Sequence, residues 1–170
     1  MKIFLTGFMG CGKTELGNLL ASKMNMAFYD TDQLIELKTG KAIKDIFSVD
    51  GESAFRKMEK EILQEVVLQN MNMVVATGGG TPCFNDNMDI MNKSGITIYL
   101  KYPANTLEKR LCHKTADRPL LAKQKNRKIK IAGMLAKREK YYCLSQIIIT
   151  PDENETREKI CEQIINSIKY

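Results

Sequence analysis

Residues 7–14 read Gly-Phe-Met-Gly-Cys-Gly-Lys-Thr. Gly7, Gly12, Lys13 and Thr14 satisfy the G-x-x-x-x-G-K-[ST] pattern of a polyphosphate cradle. Glycines let backbone amides curl around an anion, and a helix opening at Lys13 adds partial positive charge at its N-terminus. Lys13 is expected to reach the β- and γ-phosphates of a bound polyphosphate, and the Thr14 hydroxyl to sit on Mg²⁺. Such an ion also needs a carboxylate. The third apolar run ends at Thr77 with no acid, whereas the second ends Phe28-Tyr-Asp-Thr-Asp32. Asp30 is therefore the metal candidate, directly or through water. The same Asp30, with Gln33 three positions on, also fits a capping box for a helix running to about Lys38.

The destination of the phosphate must be read elsewhere. The base-reading N-K-x-D signal of GTPases is absent. A segment from about residue 32 to 60 offers Asp32, Phe47, Phe55, Arg56 and Glu59. A carboxylate such as Asp32, placed beside the γ-phosphate, can hold an acceptor hydroxyl. The Arg56 guanidinium can grip an anionic group with two parallel hydrogen bonds. Arg56 and Glu59 also fit a plain i,i+3 pair on a helix surface. Gly78, Gly79 and Gly80 would let backbone approach the acceptor closely. A basic lid is expected over about 111–125, containing Arg118-Pro-Leu-Leu. An arginine entering from a lid neutralises charge in phosphoryl transfer and excludes water; the plain alternative for Arg118 is a solvated loop residue. His113 and Lys114 read as solvated lid residues.

These groups need a frame. Five short apolar runs read as strands: Lys2–Thr6, Met26–Asp30, Met73–Thr77, Ile96–Lys101 and Gln146–Thr150. They are continuously apolar rather than alternating, as strands buried on both faces should be. A helix is expected from Lys13 to about Lys23. Another covers Phe55–Gln69, with Phe55, Met58, Ile62, Leu63, Val66 and Val67 on one face. Asp50-Gly51 supplies a turn and a cap before it. Strands alternating with helices predict an α/β fold with a five-stranded parallel sheet sandwiched by helices. GFMGCGKT, DTD, GGGTP and TPDEN follow strands as polar or glycine-rich loops, so they should line one sheet edge, where open α/β sheets bind ligands.

The totals exclude several classes. The chain has 170 residues, the size of one domain. No apolar run reaches membrane-spanning length, and Ile3–Met9 is too short and interrupted for a signal peptide, so the expected compartment is the cytoplasm. Five scattered cysteines form no C-x-x-C pair, which argues against a zinc or redox motif. The only histidine is His113, so no histidine-based triad has a motif to rest on. The net charge of +6 suits anionic ligands as well as a solvated basic surface. The basic run 123–130 lacks interleaved aromatics, so no nucleic-acid partner is expected.

Taken in order, GFMGCGKT, Asp30-Thr-Asp32, Asp50-Gly-Glu-x-x-Phe-Arg56-x-x-Glu59, Thr77-Gly-Gly-Gly80, Arg118-Pro-Leu-Leu and Arg138-x-x-x-Tyr142 closely resemble the shikimate kinase family. The resemblance covers nearly the whole chain, to about Thr150. It implies a fold like that of the nucleoside monophosphate kinases. It also implies transfer of the ATP γ-phosphate to the 3-hydroxyl of shikimate, with one Mg²⁺. By that resemblance Gly10, Cys11, Gly12, Lys13, Thr14 and Glu15 wrap the ATP phosphates, with Asp30 behind Thr14. Arg118 comes from the lid, and Arg110 flanks the adenine. Asp32 meets the shikimate hydroxyls, with Lys13 and Arg118 as its catalytic companions. Arg56 and Arg138 hold the carboxylate, with Glu59 beside them, and the Gly78–Gly80 backbone touches shikimate. The expected unit is a monomer. Two readings stay open beside it: a related small-molecule kinase such as a gluconate kinase, and a catalytically silent binding protein. Glu15 departs from the hydroxyl residue often found after the cradle threonine.

Overall fold

The computed structural model describes residues 1–112 and 127–169. Five parallel strands, β1 (Lys2–Thr6), β2 (Ala27–Asp30), β3 (Met73–Ala76), β4 (Ile96–Leu100) and β5 (Ile147–Ile149), lie in the order β2-β3-β1-β4-β5. The central strand β1 pairs on one side with β3, Phe4 opposite Val75, and on the other with β4, Leu5 opposite Ile98. Successive β1 side chains enter different cores. Ile3 and Leu5 pack with Leu16, Leu20, Tyr99, Tyr142 and Ile164. Phe4 packs with Ile35, Ile46, Leu63, Val75 and Met91 on the opposite face. Burial on both faces explains why these strands read as unbroken apolar runs.

Eight α-helices occur among the described residues, α1 (Lys13–Met24), α2 (Thr31–Thr39), α3 (Ile43–Val49), α4 (Gly51–Leu68), α5 (Asn87–Ser94), α6 (Ala104–Leu111), α7 (Arg127–Tyr142) and α8 (Arg157–Ile168), with a short 3₁₀ turn at Thr81–Cys83. Two expectations change in detail. The segment DTD is no loop: Asp30 ends β2 and Thr31-Asp32 already forms the first turn of α2. The long helix begins at Gly51, four residues before the apolar stripe becomes visible at Phe55. Asp50 stands at its N-cap without a side-chain capping bond; its carboxylate instead pairs with Lys41 at 2.9 Å. The expected lid lies outside the described residues beyond Cys112, and with it Arg118, His113 and Lys114. No helix among the described residues is long and apolar enough to cross a membrane.

Candidate active site

The loop between β1 and α1 is built as a nest of amides. Gly12 occupies the N-cap of α1 at φ 93°, a left-handed conformation that a side chain would strain. Lys13 is buried, and its Nζ donates to the carbonyls of Gly7 (2.8 Å) and Phe8 (3.2 Å). It thus braces the loop from inside. Cys11, also buried, brings Sγ to 3.6 Å from the same ammonium group. Glu15 turns its side chain outward to pair with Arg157 at the start of α8.

Thr14 and Asp30 meet as expected: Thr14 Oγ1 donates to Asp30 Oδ2 at 2.6 Å. The other carboxylate oxygen, Oδ1, accepts from the amides of Asp32 (3.0 Å) and Gln33 (3.5 Å). One residue therefore both caps α2 and faces the cradle threonine. The cap and metal readings of Asp30 are compatible because its two oxygens point to different partners.

A cavity of about 800 Å³ opens over this loop, lined by Gly10–Glu15, Asp30, Asp32, Thr77, Gly79, Tyr102, Arg110 and the 155–158 segment. Arg110 lies on its wall with the guanidinium 4.1 Å from the Tyr102 ring centre, a cation–π stack. A second cavity of about 530 Å³ adjoins it, lined by Ile43, Phe47, Phe55, Arg56, Glu59, Gly78–Gly80 and Arg138 among others. The two share Met9, Thr14, Asp30, Asp32 and Gly79. Asp32 thus stands where the two cavities join.

The second cavity is organised around Arg56. Burial alone would lower its pKa, but Glu59 and Glu52 outweigh that and raise it. Nη1 donates to Glu59 at 2.6 Å, and Nε and Nη2 to Glu52 at 3.2 and 2.8 Å. The Phe84, Phe55 and Phe47 ring centres stand 4.3, 5.4 and 5.9 Å from its guanidinium carbon. Glu59 is 1% exposed and also accepts from Thr81 Oγ1 at 2.5 Å. This is no surface i,i+3 pair but a desolvated one, held by α3, α4 and the 81–84 segment.

Two of the three glycines have a steric reason of their own, beside the close approach expected of them. None of Gly78, Gly79 and Gly80 has positive φ. A Cβ on Gly78 would fall 2.6 Å from Asp32 Oδ1 and 2.7 Å from Glu59 Oε1; one on Gly80 would fall 2.3 Å from Arg56 Nη1. Glycine makes room there for the site's own charged groups. Gly78 N–H donates to Thr31 Oγ1 at 2.9 Å, and Gly79 O accepts from Arg138 Nη1 (3.2 Å) and Tyr142 Oη (2.5 Å). Burial pushes the Tyr142 phenol well above its usual range, so it stays a donor. Burial likewise raises the nearby Cys83 thiol from 9.0 to about 11, against the pull of Arg138 and Arg56. The sequence assigned no role to Thr31, Thr81 or Tyr142. Tyr142 was visible in the Arg138-x-x-x-Tyr142 spacing, four residues along one helix face; the two threonines carry no local signal.

The sequence-derived set thus converges, with the exception of Arg118, which is not among the described residues. A family model described as shikimate kinase matches residues 9–169. The chain belongs to the shikimate kinase family. A shikimate kinase of Azobacteroides pseudotrichonymphae is 45% identical over 149 residues, covering 86% of this chain and 88% of that relative. One from a Sulfurihydrogenibium species is 44% identical, covering 98% and 97%. Among solved structures, the shikimate kinase from Acinetobacter baumannii in complex with shikimate superposes with a TM-score of 0.93 at 32% identity, covering 99% of this chain and 92% of that one. The shikimate kinase from Bacteroides thetaiotaomicron gives 0.91 at 36%, covering 100% and 99%. A gluconokinase from Sinorhizobium meliloti, at 13% identity and 0.59, shares the fold alone.

Proposed function

We propose that the chain transfers the γ-phosphate of ATP to the 3-hydroxyl of shikimate, giving shikimate 3-phosphate and ADP, the fifth step of chorismate and aromatic amino acid biosynthesis. Family membership supports the reaction. The observation that carries the residue assignment is the shared wall of the two cavities, with Asp32 on it.

In this reading the amides of Gly10–Glu15 hold the phosphates. Lys13 leaves the Gly7 and Phe8 carbonyls and turns to the transferring group. Asp32 orients the acceptor hydroxyl toward it. A loose, metaphosphate-like transition state needs little base assistance, so orientation and charge placement dominate. Arg138 and Arg56 hold the acceptor carboxylate, with Glu59 fixing the Arg56 fork and the Gly79 backbone alongside. Arg110, stacked on Tyr102, flanks the adenine, and Arg118 completes the charge cage from the 111–125 lid. The acceptor segment spans about 32–60, and residues 1–170 act as one domain.

Mg²⁺ fits the oxygen donors present. No cluster of three or more His, Cys, Asp or Glu suited to a metal occurs among the described residues. One hydroxyl backed by one carboxylate, Thr14 on Asp30, matches an ion that keeps waters and takes its remaining ligands from phosphates. Bound there, it supplies neutralisation of charge on the β- and γ-phosphates. The protein is expected to work as a cytoplasmic monomer without nucleic-acid or membrane partners.

The reading is tested by expressing the chain in an aromatic-requiring strain that lacks shikimate kinase. Growth without aromatic supplements is expected for the native chain and lost with Asp32→Asn. Failure of a well-expressed native chain to rescue would contradict it.

A further inference from the structure

In the turn after β3 every backbone carbonyl is engaged and two amides are not. Gly78 O accepts from the Thr81 amide at 3.1 Å, and Gly80 O from the Cys83 amide at 2.8 Å. The Gly78 N–H donates to Thr31 Oγ1 at 2.9 Å. Gly79 O accepts twice from α7, from Arg138 Nη1 at 3.2 Å and from Tyr142 Oη at 2.5 Å. Among the described residues the N–H groups of Gly79 and Gly80 have no hydrogen-bond partner. Both residues line the second cavity, and Gly79 lines the first as well. Unpaired backbone donors beside a cavity are groups that an oxygen-rich ligand can satisfy.

The Gly79 carbonyl and the Gly80 N–H belong to one planar trans peptide, so they point in opposite directions. Whatever holds the carbonyl also sets the direction of that donor. Glycine is the residue whose backbone most needs holding, because nothing in its own structure restricts it. Tyr142 is suited to the task. It is fully buried, its ring packs on Tyr99 with centres 5.1 Å apart, and it lines neither cavity. Arg138 is the less constant donor, since the proposed reaction draws its guanidinium to the acceptor carboxylate.

We propose that Tyr142 is a positioning residue for acceptor binding: its hydroxyl holds the Gly79–Gly80 peptide so that the Gly80 N–H is presented to the acceptor. This rests on the acceptor cavity proposed above. Tyr142 acts through the peptide and touches neither substrate. Its loss should therefore appear in KM for the acceptor and leave kcat and KM for ATP alone.

The test is steady-state kinetics with Mg-ATP and shikimate, paired with amide spectra of ¹⁵N-labelled protein. Tyr142→Phe keeps the ring and removes the hydroxyl. It is expected to raise KM for shikimate about three- to tenfold, the size of one net hydrogen bond, with kcat and KM for ATP within about twofold. Its thermal midpoint should fall by only about 2–4 °C, because Arg138 still serves the carbonyl. The Gly80 amide resonance should move, since its peptide loses a hydrogen bond. Tyr99→Phe is the matched control. It removes a buried phenol hydroxyl from the adjoining ring, but one with no hydrogen-bond partner among the described residues. It should change neither KM nor the Gly80 resonance. In the native protein, saturating shikimate should shift the Gly80 amide. The proposal is overturned if Tyr142→Phe leaves KM for shikimate unchanged, if it alters both KM values and kcat alike, or if Tyr99→Phe shifts KM for shikimate as much. A native protein that turns shikimate over while its Gly80 amide stays in place overturns it too, whatever the variants do. A native protein that does not turn shikimate over refutes the activity reading itself, and this role with it.

Discussion

At the residue scale, Asp30 divides two tasks between two oxygens. Oδ2 accepts from Thr14, on the side of the loop before α1, and Oδ1 caps α2. Asparagine caps a helix as well as aspartate does, but carries no charge. Asp30→Asn is therefore expected to keep the thermal midpoint close to native while lowering kcat/KM for Mg-ATP by about 10–100-fold, as loss of a metal's supporting carboxylate typically does. Asp30→Ala should lose the activity and about 1 kcal/mol of stability besides. Thermal melts with kinetics separate the two. Full activity in Asp30→Asn would reduce the residue to a cap. The Asp30-x-x-Gln33 spacing and the acid at a strand end were both legible as pattern. That one side chain does both was not, because it depends on α1 bringing Thr14 across to the end of β2.

At the element scale, the turn after β3 is packed from below by the charged groups of α2 and α4. A Cβ at Gly80 would meet Arg56 Nη1 at 2.3 Å and Cζ at 2.7 Å. Arg56 cannot swing away cheaply, since two carboxylates and three rings hold it. Gly80→Ala should cost about 1–3 kcal/mol, as overpacking does, and raise KM for shikimate with little effect on KM for ATP. Gly51→Ala is the contrast. Its Cβ would meet nothing within 4 Å, but its φ of 84° is left-handed. It should cost about 1 kcal/mol and leave both KM values unchanged. Equal kinetics for the two variants would show that Gly80 serves only the backbone. Strand β1 and helix α1 were readable almost to the residue, because an apolar run and a glycine-lysine punctuation bound them. The start of α4 was not: Glu52-Ser53-Ala54 carries no apolar stripe, and the helix is fixed there by what Arg56 and Glu52 do together. The five-stranded order was also beyond the sequence, since apolar runs mark strands without saying which neighbours pair.

At the scale of the whole molecule, the sheet's carboxyl edge gathers the loop before α1, Asp30 with the first turn of α2, and the turn after β3 into two joined spaces. The far end of α7 supplies Arg138 and Tyr142 to the same turn. Met9 after β1 and Arg138 and Tyr142 of α7 thus meet at Gly79, so this cavity forms only when the fold is complete. The central claim is that these joined spaces serve one reaction, with an acceptor carboxylate held on one side and a nucleotide on the other. The direct test is ADP release by purified protein with Mg-ATP and shikimate, gluconate, or no acceptor. Turnover that depends on shikimate and is absent with gluconate or without acceptor is the predicted result. Equal ADP release with and without shikimate would contradict the account.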